Sequence, residues 1–184
     1  GDWLCLKNLH LVCSWLPTLE KELNSLKPHK KFRLWLTTEA HASFPIILNQ
    51  QSLKATFESP PGMKKNLQRT YAVWRPEFIA SGSVRRAQVL FLLAWFHAVV
   101  QERRNFIPQG WPEFYEFSTG DMRAAANVID VAMSGDSDKL PWPTIHGLME
   151  NALYGGRVAN TFDMRVVLAY LRCFFTTRVL EGRT

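Results

Sequence analysis

Residues 3–11 form a nearly continuous apolar run, Trp-Leu-Cys-Leu-Lys-Asn-Leu-His-Leu. A strand with one solvated face alternates between apolar and polar residues, whereas an unbroken apolar run is typical of a strand covered on both faces of a parallel sheet. Such a strand needs neighbouring strands and covering helices. The run therefore predicts an α/β sheet in which this strand is one member.

The residues that follow continue the alternation of strands and helices. Ser14 is a plausible N-cap, Pro17 is tolerated in a first turn, and leucines at helical spacing predict a helix over 14–27. The pattern then predicts a strand over 32–37, a short helix over 44–50 and a strand over 53–58. These elements do not complete a sheet, so we expect further strands upstream in a longer parent chain.

The composition changes at Pro60-Pro61-Gly62, and the strand pattern disappears after it. Proline and glycine end the preceding element and open a series of helical patterns. We therefore predict an α/β part over 1–59 and a helical bundle over 60–184, with helices dominating the whole chain. The predicted helices cover residues 63–74, 76–81, 84–104, 118–134, 142–154 and 161–178.

The longest apolar stretch, 87–100, is shorter than the roughly 20 residues that span a bilayer. It predicts a buried core helix in which Leu93 and Trp95 are both buried. The opening residues lack the pattern of a signal peptide, and the three cysteines lack the spacing of metal ligands. These features indicate a protein of a reducing cytosolic compartment that is not secreted.

The chain has a net charge of +6, which suits contact with nucleic acid, an anionic membrane or an acidic protein. Its basic residues are interspersed with acidic ones, and no recognised nucleic-acid motif accompanies them. Binding driven by nucleic-acid sequence is therefore disfavoured.

The residues with which an α/β core holds ATP are missing. The phosphate loop Gly-x-x-x-x-Gly-Lys-Ser/Thr does not occur, and the first strand leads into Lys7-Asn8-Leu9-His10 without a carboxylate for magnesium. Asn8 thus stands at a degenerate Walker-B-like position. Thr37 or Thr38, after the second strand, could face a γ-phosphate as a polar sensor, or could cap the strand and begin the next turn. We predict no catalytic residue and no metal site.

Gly155 and Gly156 follow a predicted helix, where two glycines permit a left-handed C-cap and a close backbone approach. They resemble a phosphate loop only weakly, and a turn that orients the final helix is the favoured interpretation. A tryptophan beside a turn, as in Gly110-Trp111, more often pins a loop to the core than binds a ligand. The predicted structural positions are Pro61, Gly62, Trp111, Gly155, Gly156 and Arg157.

Short motifs recur through the chain in one order. They are Leu-Lys-Asn-Leu-His-Leu at 6–11, Trp-Leu-Pro-Thr-Leu-Glu at 15–20, Phe-Arg-Leu-Trp-Leu-Thr-Thr-Glu at 32–39, Glu-Ser-Pro-Pro-Gly-Met-Lys-Lys-Asn-Leu at 58–67, Phe-His-Ala at 96–98, Glu-Arg-Arg at 102–104, Gly-Trp at 110–111, Tyr-Glu-Phe at 115–117, Asp-Met-Arg at 121–123 and Tyr-Gly-Gly-Arg-Val at 154–158. In this order they resemble the dynein heavy chain family, in the second half of the sixth AAA+ module of its motor ring. Phe-Ile-Pro-Gln-Gly-Trp at 106–111 resembles the subclass of intraflagellar transport, cytoplasmic dynein 2, rather than the axonemal dyneins. Residues 151–153, Asn-Ala-Leu, depart from the pattern of many relatives without disturbing the resemblance.

The resemblance implies a ring of six AAA+ modules that hydrolyses ATP chiefly at the first, with a distant stalk that binds microtubules. The sixth module resembles a degenerate member that binds no nucleotide. Residues 1–59 would be the C-terminal part of its large α/β subdomain, and residues 60–184 a helical lid that transmits rigid-body shifts around the ring. No cofactor is implied for this chain; ATP and magnesium would bind in other modules.

The implied partners are the neighbouring AAA+ modules and the C-terminal region of the same heavy chain. Microtubules and accessory chains would be reached through the parent protein, in the cytoplasm, on the cytoskeleton and in the cilium or flagellum. No nucleic acid and no membrane are implied.

Two other hypotheses remain open. The chain could belong to an active AAA+ ATPase whose phosphate loop lies upstream, or it could be a basic scaffold that binds RNA or an acidic protein. An intact Gly-Lys-Ser/Thr loop before Gly1 would favour the first of these.

Overall fold

The computed structural model describes residues 1–56, 58–134 and 140–182. The chain divides into two compact units, Gly1–Phe57 and Glu58–Thr184. The first unit holds a small parallel sheet with helices, and the described residues of the second are helical or irregular. The predicted fold class, an α/β part followed by a helical bundle, is therefore confirmed. The assignment of the two parts to a large subdomain and a lid, with a boundary after residue 59, stays a prediction.

The first unit contains two parallel strands, β1 (Trp3–Leu6) and β2 (Arg33–Leu36), which pair in register from Trp3 opposite Arg33 to Leu6 opposite Leu36. Parallel strands need a crossover connection, and here helix α1 (Leu16–Ser25) lies between them in sequence. Helix α2 (Ile46–Gln51) follows β2. The predicted strand over 32–37 and helix over 44–50 are thus confirmed. The core of this unit is formed by Leu9, Leu16, Leu19 and Leu48.

The first predicted strand is wrong in its length and its burial. It ends at Leu6, because Asn8 adopts a left-handed conformation (φ 57°) that interrupts extended backbone. Trp3, Leu4 and Trp35 remain 69%, 48% and 51% exposed, since the sheet has two strands in the described part of this unit and lacks a cover on both faces.

Two further predictions for the first unit are wrong. The N-cap of α1 is Trp15 rather than Ser14, because Ser14 already belongs to a 3₁₀ helix over Leu9–Trp15. The strand predicted over 53–58 does not form at its described residues, and the Leu53 side chain is fully exposed, so it has no face to bury.

Helix α5 (Val84–Glu102) is the centre of the second unit. Its neighbours are α3 (Met63–Val73), α4 (Pro76–Ala80), α6 (Thr119–Ala132), α8 (Thr161–Phe174) and α9 (Thr177–Leu180), all of which pack against it. Helix α7 (Trp142–Leu148) packs against α6. Because α5 is surrounded, its buried residues lie on several sides rather than along one stripe.

The predicted helices of this unit are found, with three corrections at their ends. Helix α5 stops at Glu102 and continues as a 3₁₀ turn over Arg103–Asn105, and α7 continues as a π-helix over Met149–Leu153. The helix predicted over 161–178 is broken after Phe174, because the Thr176 hydroxyl accepts a hydrogen bond from the Val179 N–H and so caps a new helix, α9.

The core prediction for α5 is half right. Leu93 is fully buried, as predicted, but Trp95 is 38% exposed, which makes the prediction for Trp95 wrong. Trp95 points away from the helices that surround the rest of α5. Among the described residues, no helix has both the length and the hydropathy that crossing a membrane requires.

Candidate functional site: polar contacts around the central helix

The predicted positions in the first unit come together at the carboxyl ends of the two strands. The Asn8 N–H donates a hydrogen bond to Thr37 Oγ1 at 3.0 Å, and the Leu9 N–H donates to the Thr37 carbonyl at 3.0 Å. The Thr38 hydroxyl donates to the Glu39 carbonyl at 2.9 Å, and the Glu39 N–H donates to His10 Nδ1 at 3.1 Å. These contacts describe strand ends that are closed by local hydrogen bonds, with the Thr37 hydroxyl engaged by the backbone of Asn8.

In the second unit, Trp111 pins the loop after α5 to the helix it follows. Its side chain is 1% exposed, and its indole N–H donates to the Val100 carbonyl at 2.8 Å. The Arg103 guanidinium lies 4.8 Å from the Trp111 ring and 5.5 Å from the Tyr170 ring of α8. It also donates to the Gly110 carbonyl at 2.6 Å. Arg103 therefore joins the loop, α5 and α8 in one contact set.

Gly110 is required where it stands, because a Cβ at this position would overlap the Arg103 carbonyl oxygen. Gly62, at the start of α3, has a φ of 98°, which disfavours any residue with a side chain. The Gly62 N–H donates to the Glu102 carboxylate at 2.6 Å, and the Asn66 side chain donates to the Pro60 carbonyl at 2.8 Å. These hydrogen bonds attach the start of α3 to the end of α5, while the neighbouring Pro61 is exposed.

A buried pair links α5 to the π-helical turn. His97 Nδ1 and the Tyr154 hydroxyl are 2.9 Å apart, and both residues are at most 2% exposed. Burial lowers the pKa of His97 to about 4, with the Asp121 carboxylate opposing this shift and Arg69 adding to it. Burial also raises the pKa of Tyr154 well above its usual range. Both groups are therefore neutral at pH 7.

Asp121 organises the start of α6. It accepts from the Ser118 N–H at 2.8 Å while the Ser118 hydroxyl accepts from the Asp121 N–H, which forms a capping box. Arg157 adds hydrogen bonds to the same carboxylate at 2.8 and 3.1 Å. Burial raises the pKa of Asp121, but the bonds from Ser118 and Arg157 outweigh it and lower the pKa below its usual value.

Tyr115 connects the loop before α6 to the start of α8. Its hydroxyl donates to the Asp163 carboxylate at 2.8 Å and accepts from the Asn160 N–H at 3.3 Å. The Asn160 side chain in turn caps α8. Burial together with the hydrogen bond to Asp163 raises the pKa of Tyr115 to about 12. The hydroxyl therefore stays protonated and serves as a structural hydrogen-bond donor.

Gly155 and Gly156 differ in a way that the sequence did not reveal. Neither has a positive φ, so the predicted left-handed C-cap is wrong; instead both lie in a 3₁₀ turn over Gly155–Arg157. A Cβ on Gly155 would overlap the Glu150 carbonyl oxygen, because the π-helix brings that carbonyl against it. A Cβ on Gly156 would lie 3.5 Å from the Asn151 carbonyl oxygen, an ordinary contact. Close backbone approach therefore requires glycine at Gly155 alone.

Together these contacts form a scaffold in which each buried polar group fixes one element against another. Sequence reasoning included Trp111, Gly155 and Arg157 among the predicted structural positions but missed the residues that bond to them. The Ser118-x-x-Asp121 spacing was a signal available in the sequence. Within residues 1–56, 58–134 and 140–182, no group of three or more His, Cys, Asp or Glu side chains is arranged to hold a metal.

Comparison with known families matches both units. Residues 1–56 match the model described as the dynein heavy chain region D6 P-loop domain, and residues 86–184 match the dynein heavy chain AAA lid domain. The chain therefore belongs to the dynein heavy chain family, which confirms the resemblance read from its motifs.

Among its relatives, cytoplasmic dynein 2 heavy chain 1 of Tripneustes gratilla is 61% identical over 183 residues, or 99% of this chain. The Homo sapiens protein of that name is 60% identical over 98% of this chain. The cytoplasmic dynein heavy chain of Dictyostelium discoideum is 41% identical over 96% of it. The chain spans about 4% of the length of each of these relatives.

Proposed function

We propose that this chain is a non-catalytic, force-transmitting part of a dynein motor ring that supports ATP-driven, minus-end-directed transport on microtubules, as in intraflagellar transport. Similarity of 60–61% to heavy chains named cytoplasmic dynein 2, against 41% to the Dictyostelium cytoplasmic chain, favours that subclass. The corresponding location is the cytoplasm and cytoskeleton, extending to the cilium.

The observation that carries the proposal is the construction of the second unit around α5. Five helices pack on this one helix, and 22 buried apolar residues form one continuous core. Close-packed cores of this kind resist gradual deformation, so displacement of one face moves the whole unit. A unit of this kind suits the transmission of rigid-body shifts between neighbouring modules.

The non-catalytic part of the proposal rests on the strand ends of the first unit. Asn8 supplies no carboxylate for magnesium, and its left-handed backbone is bonded to Thr37, the residue considered as a sensor. ATP and magnesium are proposed to act in other modules of the heavy chain. The proposed partners are the adjacent AAA+ modules and the C-terminal region of the same heavy chain, with microtubules and accessory chains contacted elsewhere in it.

Titration of magnesium-ATP into the purified 184-residue chain tests the non-catalytic part. We expect no saturable heat, because neither a phosphate loop nor a magnesium carboxylate is present. A micromolar dissociation constant would contradict the proposal. The sequence that precedes Gly1 in the parent provides a second test, since an intact Gly-Lys-Ser/Thr loop there would favour an active ATPase module.

A further inference from the structure

The outer faces of α3 and α5 enclose a groove of about 490 Å³ in the second unit. Its lining residues are Met63, Lys64, Leu67, Gln68, Tyr71 and Trp95. Tyr71 and Trp95 are each 38% exposed. Phe91, one turn from Trp95 on α5, is 48% exposed, and the two rings lie 6.4 Å apart. The groove and its extension along α5 thus present three large aromatic side chains to the outside.

This surface differs from the rest of the central helix. Most of α5 is enclosed by the helices that pack on it, yet its one aromatic pair at i, i+4 spacing faces outward. Exposed aromatic side chains that are held in a fixed groove are typical of recognition surfaces, because they offer large contact area at little cost in conformational entropy.

The charge of the groove restricts what fits it. Lys64 is the one ionised side chain among the lining residues, and the adjacent Lys65 is also exposed. A partner that carries carboxylates along one edge would therefore complement the rim, whereas a basic partner would be repelled.

The shape of the groove indicates a helix as its occupant. Two packed helices form a furrow into which the side-chain ridge of a third helix fits. The mostly apolar lining offers few hydrogen-bond partners, so an occupant must satisfy its own backbone, as a helix does. Met63 to Tyr71 spans about 12 Å at 1.5 Å per residue, which corresponds to a contact of about two helical turns.

We propose that this groove docks an amphipathic helix with an acidic edge, supplied by another segment of the same heavy chain. The relatives are roughly 25 times longer than the part matched here, so many segments are available in cis. A segment in the same polypeptide has a high effective concentration, which favours it over a separate partner. The proposal deepens the proposed function and rests on it in one respect, namely that the chain works within a larger ring.

Zero-length carbodiimide coupling in a complete dynein motor domain tests this proposal, because it joins a lysine amine to a carboxylate in direct contact. We expect Lys64 to couple to an aspartate or glutamate of a helical segment, identified by mass spectrometry. Mixing isotopically light and heavy motor domains distinguishes the sources. Pairs of one isotope support docking in cis, whereas mixed pairs or coupling to a different polypeptide overturn the proposal.

Matched variants sharpen the test. Trp95→Ala should reduce the Lys64 coupling at least fivefold, while Phe162→Ala, which removes a 70% exposed side chain from α8, should leave it unchanged. Lys64→Glu alters only an exposed side chain, and it should increase oxidative labelling of Trp95 in the motor domain toward the level seen in the 184-residue chain. Equal labelling of Trp95 in the chain and in the unmodified motor domain would overturn the proposal.

The coupling measurement is independent of motility. A motor domain with the expected Lys64 coupling but no velocity change in a variant that disturbs the core would refute force transmission and leave the docking site standing. Normal transmission with no Lys64 coupling would do the reverse.

Discussion

Replacing Leu93 by alanine tests whether α5 is the centre of the core. The side chain is fully buried midway along the helix, and the substitution removes three carbon atoms from a position enclosed by neighbouring helices. At about 0.8 kcal/mol per buried carbon, the lost transfer free energy is about 2.4 kcal/mol. The cavity left behind adds to this, so we expect Leu93→Ala to lower the free energy of unfolding by about 3–5 kcal/mol.

Urea denaturation of the 184-residue chain, followed by far-ultraviolet circular dichroism, measures this change as a shift in midpoint at constant m-value. Val131→Ala is the matched control, because Val131 is also an aliphatic helical residue but is 75% exposed. Its effect should lie within about 0.5 kcal/mol. A change of that small size in Leu93→Ala would refute the central position of α5 and would make the helix a partner surface.

Three further predictions concern the polar contacts. Because the pKa of His97 is about 4 when folded and near 6.5 when unfolded, the unfolded chain binds the extra proton between these values; stability should fall by about 3 kcal/mol as pH drops from 6.5 to 4, and His97→Gln should flatten this part of the unfolding profile. The lowered pKa of Asp121 stabilises the fold above its unfolded pKa and is lost in acid, so Asp121→Asn should cost about 1–3 kcal/mol at pH 7 in thermal unfolding and little at pH 3. Trp111→Phe removes the donor to the buried Val100 carbonyl; we expect a loss of about 1–3 kcal/mol and faster amide hydrogen exchange in residues 106–111, and unchanged exchange would contradict the pinning role.

The helical unit was largely predictable because its signals are local. Periodic apolar residues indicated each helix, and proline or glycine marked most of the ends. The errors fell where a distant or neighbouring contact decides the outcome. Thr176 breaks the last helix by capping α9, and Trp95 faces outward because the neighbours of α5 lie on its other sides.

The polar scaffold was less predictable. His97 and Tyr154 are separated by 57 residues, and no spacing rule brings them together. The need for glycine at Gly155 arises from the Glu150 carbonyl of the π-helix, which the sequence does not announce. In the first unit, Asn8 and Thr37 were correctly placed at the strand ends, but the left-handed backbone of Asn8 was not foreseen.

Comparison of Gly155→Ala with Gly156→Ala in a dynein motor domain tests force transmission most directly. A Cβ on Gly155 overlaps the Glu150 carbonyl oxygen and approaches the Met164 side chain of α8 to 3.2 Å, so the turn must shift, whereas Gly156 accepts a Cβ at ordinary distance. Thermal unfolding establishes a temperature at which both variants are folded. At that temperature, we predict reduced microtubule gliding velocity and microtubule-stimulated ATPase for Gly155→Ala, values near those of the unmodified motor for Gly156→Ala, and unchanged ATP affinity at the first module in both. Unchanged velocity in a folded Gly155→Ala motor would contradict the account and leave this unit as passive packing.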